Sequence, residues 1–248
     1  MAGHSKFANI KHRKAGQDAK RAKLFTKLTR EIQVAAGAGQ PDPDFNPRLR
    51  GALIAARKAG VPKDRIETSV KKGSGQIEGE SFEEMRYEGY GPGGIAIIVD
   101  VLTDNRNRSA AEVRTCFTKA GGNMGETGSV NFMFDRIGLV ELSADVADHD
   151  TIFEAAAEAG AEDVDSNDEF HVITCAPDEL NVVRDALTDH YGDPETAKLA
   201  WRPKEPMELD LEQAEKIIKL IDALEDNDDV QDVTGNFIIP DDIAEQLA

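Results

Sequence analysis

Apolar residues recur at helical intervals through the first quarter of the chain. Over 17–36, Leu24, Phe25, Leu28, Ile32 and Ala35 fall on one side of a helix turning about 100° per residue. Lys20, Lys23, Lys27 and Arg30, spaced 3, 4 and 3, form a second stripe about 140° around the same cylinder. One face packs and the other stays cationic, with Arg21 near the apolar side and its stem lying along it. Residues 36–44 carry Gly37, Gly39, Pro41 and Pro43 and read as a loop. Asn46-Pro47 then opens a second helix, Asn46 as N-cap and Pro47 in the first turn, with Leu49, Leu53 and Ala56 inward and Gly60 at its end. Pro62 opens a third through Ile66 and Val70, ending near Gly73. Three helices with short connections make a small bundle.

After a Gly-, Glu- and Ser-rich stretch over 74–84, the pattern turns mixed. Ile95 to Val101 is an apolar, β-branched run that reads as a buried strand. Residues 108–120 predict a helix with Ala110, Val113 and Phe117 inward, stopped by Gly121-Gly122, and Val130, Phe132 and Phe134 alternate as a half-buried strand. Residues 137–202 read as strand, helix, strand, strand, helix, strand, the order of a ferredoxin-like sandwich. A linker follows over 203–209, then an amphipathic helix over 211–225 and a strand over 230–239. That last pair cannot bury its apolar face alone, so it is expected to return to the sheet begun at 85–135. The fold class is therefore α+β: an N-terminal three-helix domain over 1–75, then two mixed α/β (ferredoxin-like) domains. The third, 137–202, is inserted into the second, 85–135 plus 206–240.

Charge changes this picture most. The chain has 248 residues and a formal net charge of −18, yet residues 1–75 hold 17 Lys/Arg against 6 Asp/Glu, while residues 76–248 hold 12 against 41. The first thirty residues alone carry nine cations and one acid, Asp18. A basic block of this density calls for an anionic partner, and nucleic acid is the commonest. Lys6, Lys11, His12, Arg13, Lys14, Lys20, Lys23, Lys27 and Arg30 are the candidate contacts, with Lys71 and Lys72 in support. Asn105-Arg106-Asn107-Arg108-Ser109 caps a helix and sets Arg106 and Arg108 beside its start, an arrangement suited to phosphate. His4 and His12 sit among lysines, where a dication is repelled, and suit hydrogen bonds or stacking to a nucleotide backbone.

Other chemistries find little support. No GxxxxGK[ST] is present, and Gly89-Tyr90-Gly91-Pro92-Gly93-Gly94 precedes a strand where a dinucleotide fingerprint must follow one. Its glycines read as turns, with a phosphate contact left open. No HExxH, Cys/His cluster or GxSxG occurs, and the carboxylate pairs at Glu225-Asp226 and Asp228-Asp229 read as a solvated face. No enzyme, cofactor, metal or small-molecule substrate is expected. Cys116 and Cys175 read as small buried hydrophobes in a reducing compartment. No run approaches the ~20 apolar residues of a membrane span. The N-terminus lacks a signal-peptide core, and the expected address is the cytoplasm.

The opening Met1-Ala2-Gly3-His4-Ser5-Lys6-Phe7-Ala8-Asn9-Ile10-Lys11-His12 resembles the N-terminal signature of the YebC family, which includes the mitochondrial translational activator of cytochrome c oxidase. Lys23-Leu24-Phe25-Thr26-Lys27-Leu28, Gly60-Val61-Pro62-Lys63-Asp64, Tyr87 to Gly94, Thr103 to Arg108 and Leu220 to Asp226 extend the resemblance over the whole chain. Phe7 stands where the family usually has Trp, keeping an aromatic anchor without the indole N–H. The resemblance implies three domains and a bacterial cytoplasmic protein without a mitochondrial presequence. It also implies a non-enzymatic nucleic-acid-binding regulator of gene expression, in the first place a transcriptional regulator that binds DNA, with a ribosome-associated translation factor as the alternative. Some members are labelled transcriptional regulators that bind DNA; others look like ribosome-associated factors that relieve stalling on proline-rich sequences. From the residues alone, the first domain shows no recognition helix studded with Asn, Gln and Arg for base edges, which favours a structured RNA such as ribosomal RNA, read by shape.

Overall fold

The structure, a computed structural model, describes residues 17–247, with side chains from Lys20 onward. Three helices come first: α1 (Gln17–Ala38), α2 (Pro47–Lys58) and α3 (Lys63–Gly73). Then follow β1 (Glu83–Tyr90), β2 (Ala96–Thr103), α4 (Arg106–Lys119) and β3 (Asn123–Met124). A second group comprises β4 (Phe134–Ser143), α5 (His149–Glu158), β5 (Asp163–Ser166), β6 (Phe170–Cys175), α6 (Leu180–Tyr191) and β7 (Thr196–Pro203). The chain closes with β8 (Met207–Glu208), α7 (Leu211–Glu225), β9 (Val230–Gly235), β10 (Phe237–Ile238) and α8 (Asp241–Leu247).

The bundle is built as its apolar spacing demands. Ile32, Ala35, Leu49, Leu53, Ala56, Val61 and Ile66 form its core, with Phe25 and Leu28 packed at the edge. Asn46 serves two helices. Its Oδ1 accepts from Leu49 N at 3.0 Å and starts α2, while its Nδ2 donates to Ala35 O at 2.8 Å near the end of α1. α1 runs two residues past the loop expected from Ala36 onward. Gly37 and Gly73 are there for a close crossing: a Cβ on Gly73 would stand 2.1 Å from Gln33 O, and one on Gly37 would stand 3.0 Å from Gly73 O.

The first sheet has the order β3-β1-β2-β9, antiparallel throughout, so the strand after α7 does return to the sheet begun by β1 and β2. Ile97, Val99 and Val101 face α4 and α7, through Val113, Phe117, Ile217, Leu220 and Leu224. Ala96 and Ile98 on the other face meet Val130, Phe134 and Trp201, which explains why β2 is apolar at every position from Ala96 to Val99. The second sheet, order β5-β6-β4-β7, is the ferredoxin-like arrangement with α5 and α6 on one side. The first has the same layers in a different strand order.

Three local expectations fail, two of them because a side chain takes over backbone hydrogen bonds. Val130, Phe132 and Phe134 are not one strand. Residues Asn131–Met133 form a 3-10 turn, Phe132 is 64% exposed, and β4 begins at Phe134. The buried Glu88 carboxylate takes the N–H groups of Gly128, Val130 and Asn131 at 2.8–2.9 Å, removing donors that a strand would offer a neighbour. The strand over 230–239 breaks at Asn236, whose Oδ1 accepts from Ala96 N at 2.7 Å; Phe237–Ile238 then pairs in parallel with Met207–Glu208, inside the stretch read as a linker. β1 reaches back to Glu83, into the stretch read as a linker over 74–84.

Candidate nucleic-acid interface

The site is built on α1, whose spacing puts Lys23, Lys27 and Arg30 along one line. That line does not face solvent. It lies against the C-terminal end of α7 and the turn that follows. Lys23 Nζ reaches Asp226 Oδ1 at 2.8 Å and Asp226 O at 2.9 Å, and Lys27 Nζ donates to Glu225 O at 3.0 Å. Arg30 donates to Asp228 O at 2.6 Å and to Asp229 Oδ1 at 2.7 Å, with its guanidinium over the Phe82 ring at 5.1 Å. Carbonyls at a helix C-terminus carry partial negative charge, so this end suits cations even apart from its carboxylates.

Asp229 is the hub, and it is buried. While Oδ1 holds Arg30, Oδ2 accepts from Arg108 at 2.7 Å, Ser109 Oγ at 2.6 Å and Thr103 Oγ1 at 3.2 Å. Burial alone would raise its carboxyl pKa; the bonds from Arg108, Ser109 and Arg30 outweigh that and hold it below the ordinary range. Arg108 also pairs with Asp104 at 2.7 Å, and Asn105 caps α4 by accepting from Arg108 N at 3.1 Å. The helix start read as a phosphate site therefore has one of its two guanidiniums engaged by Asp229. Arg106 stays largely exposed, 3.2 Å from Glu83. The acidic run 225–229, read as a solvated face, is one only in part, because Asp229 turns inward to these four donors.

The pairing is general. Among the described residues, five ion pairs join the first 75 residues to the rest: Lys23–Asp226, Arg30–Asp229, Arg48–Glu84, Arg50–Asp185 and Lys58–Glu195. In all five the cation belongs to the helical part and the acid to the sheet-containing part. Part of the charge asymmetry is thus met within the chain.

The remaining candidates separate by position. Lys20 and Lys71 are exposed, Lys72 is half-buried, and the ammonium of none of the three has a hydrogen bond or ion pair with the described residues. Lys71 and Lys72 end α3 beside the Gly37–Gly73 crossing, while Lys20 lies at the other end of α1, about 20 Å away along the helix. Between α1 and α3 runs a groove of about 400 Å³ lined by Thr26, Thr29, Arg30, Arg65, Thr68 and Lys72 among others. Lys6, Lys11, His12, Arg13 and Lys14 lie outside the described residues, as do His4 and Phe7. The turn at 91–94 has Gly93 and Gly94 at positive φ, which their lack of a Cβ allows. Trp201, the single tryptophan, has the Arg86 and Arg136 guanidiniums over its rings at 4.3 and 4.7 Å and donates to Asp100, tying the two sheets together.

Sequence reasoning missed Asp229, Ser109, Thr103 and Glu88. The available signal for Asp229 was its place at the end of an acidic run just before a strand, opposite a 3-4-3 basic stripe that needed a partner.

Two family models match. The TACO1/YebC N-terminal domain covers residues 5–76, and the TACO1/YebC second and third domain covers residues 82–237. The chain belongs to the TACO1/YebC family. Within this family, the crystal structure of a conserved hypothetical protein, Aq1575 from Aquifex aeolicus, is similar at 49% identity and a TM-score of 0.86, covering 94% of this chain and 96% of that one. The family boundary between residues 76 and 82 falls just after the basic bundle, so the seam held by Lys23, Lys27 and Arg30 joins the family's N-terminal domain to the part that follows. No described helix is long and apolar enough to cross a membrane.

Proposed function

We propose that the chain is a non-enzymatic regulator of gene expression that grips a structured RNA, ribosomal RNA in the first place, by its phosphate backbone through the N-terminal basic end. Lys20, Lys71 and Lys72 are the described contacts, joined by Lys6, Lys11, His12, Arg13 and Lys14, with Arg106 as a contact from the neighbouring sheet. The observation that carries this reading is the seating of α1. With Lys23, Lys27 and Arg30 against α7, that face is not presented to a DNA major groove, while cations about 20 Å apart remain available to a folded backbone. Such contacts set position and carry no base sequence. In this reading the protein works in the cytoplasm, at the ribosome.

A DNA-binding transcriptional regulator is the second reading, supported by the name of the second family model, Transcrip_reg. Cross-linking in cells, followed by sequencing of both the RNA and the DNA recovered, separates the two. Ribosomal RNA, with salt-sensitive co-sedimentation with ribosomes, supports the first; discrete promoter footprints replace it with the second.

A further inference from the structure

The seam between α1 and the end of α7 has the chemistry of a nucleic-acid contact made with protein groups. Three cations at positions i, i+4 and i+7 of one helix face a row of anionic and carbonyl oxygens: Asp226, Glu225 O, Asp228 O and Asp229. A phosphate backbone offers the same kind of acceptor to the same kind of donor. Arg30 at one end is well buried, its side chain 18% exposed, but the Lys23–Asp226 pair at the other end is open, at 37% and 76%. Exposed pairs are weak and screened by salt, so this end of the seam is the easier one to open. The stretch between α3 and β1 is exposed from Gln76 to Ser81, and its contacts with the bundle include Glu80 O, which accepts from Gln33 Nε2.

We propose that the acidic end of α7 autoinhibits the basic helix: Glu225, Asp226 and Asp229 occupy Lys23 and Arg30 and cover Lys27, and a polyanion must displace them to use the full stripe. This rests on the nucleic-acid reading above. In that reading Lys20, Lys71 and Lys72 make the first contact, and release of α1 from α7 extends it. Competition between a tethered anion and a free one lowers the apparent affinity by the fraction of molecules held closed. The acid-rich sheets therefore tune how tightly the basic end binds.

The test compares Asp226→Lys with Glu212→Lys. Both sites are exposed, at 76% and 79% of the side chain, and both lie at an end of α7, but only Asp226 belongs to the seam; Glu212 pairs with Lys216 within the helix. The two variants change net charge equally, which removes general electrostatic attraction from the comparison. The probe is a fluorescently labelled RNA hairpin, titrated in full-length protein at low salt. The expected result is that Asp226→Lys binds about threefold or more tighter than Glu212→Lys, the scale of one exposed ion pair. Equal affinities overturn the autoinhibition while leaving RNA binding standing. No binding by the wild type or either variant overturns the nucleic-acid reading and this inference with it.

Discussion

At the scale of single residues, two carboxylates hold the architecture, and neither is on the surface. Asp229 satisfies donors from α1, α4 and β2 at once. Replacing it with Asn leaves the well-buried Arg30 without its carboxylate and Arg108 with Asp104 alone, and the expected loss is about 3 kcal/mol in urea unfolding. Glu88 plays the same part for the turn before β4. Burial would raise its carboxyl, but the N–H groups of Val130, Gly128 and Asn131 hold it below the ordinary range. Both shifts are downward, so each ionised carboxylate adds stability that is fully present above the unfolded pKa of about 4 and is lost as pH falls through the folded value. The unfolding midpoint is expected to be level from about pH 6 to 8 and to drop below about pH 4.5. Glu88→Gln should lower it at neutral pH and shrink the drop in acid. An acid profile unchanged by Glu88→Gln refutes the assignment. Helix caps at this scale were legible: Asn46 and Asn105 both accept from the N–H three residues on. Asp229 and Glu88 were not, because a lone acid in an acid-rich chain carries no sign of facing inward.

At the scale of elements, apolar periodicity located the helices and the ferredoxin-like sheet because each buries a regular stripe. It failed where a hydrogen bond outside the ladder took over, at the Glu88-held turn and at Asn236. β1 was hidden for a different reason. Its Glu84, Arg86 and Glu88 alternate with Met85 and Tyr87 in a polar-looking run, yet it pairs with β2 along its whole length. The glycines of α1 and α3 read as punctuation, but Gly37 and Gly73 permit backbone contact. Gly73→Ala has to push α1 away from α3, and the expected cost is about 2 kcal/mol or more, from overpacking against the Gln33 carbonyl. A circular-dichroism melt in which Gly73→Ala matches the wild type contradicts that crossing.

At the scale of the whole molecule, charge was the most legible property and the most easily misread. The sum over 1–75 is strongly positive and the sum over the rest strongly negative, and the simplest inference is an external anion. The fold shows an internal one as well: every ion pair crossing from the bundle among the described residues runs from its cation to an acid of the sheets. Linear sequence cannot tell the two apart, because most of the partner residues lie far along the chain, 135 positions for Arg50 and Asp185 and 203 for Lys23 and Asp226. What remains for an external partner is the set outside that seam, whose described members include Lys20, Lys71 and Lys72, with Arg106 from the neighbouring sheet. The central claim is that these residues hold nucleic-acid phosphates, and a salt titration of Lys20→Glu/Lys71→Glu/Lys72→Glu against the wild type, using a labelled ribosomal RNA hairpin, tests it most directly. The wild-type affinity is expected to fall steeply with salt, and the triple variant to bind about tenfold or more weaker with a slope shallower by about two. A wild-type affinity indifferent to salt, or a triple variant that binds as the wild type does, would contradict it.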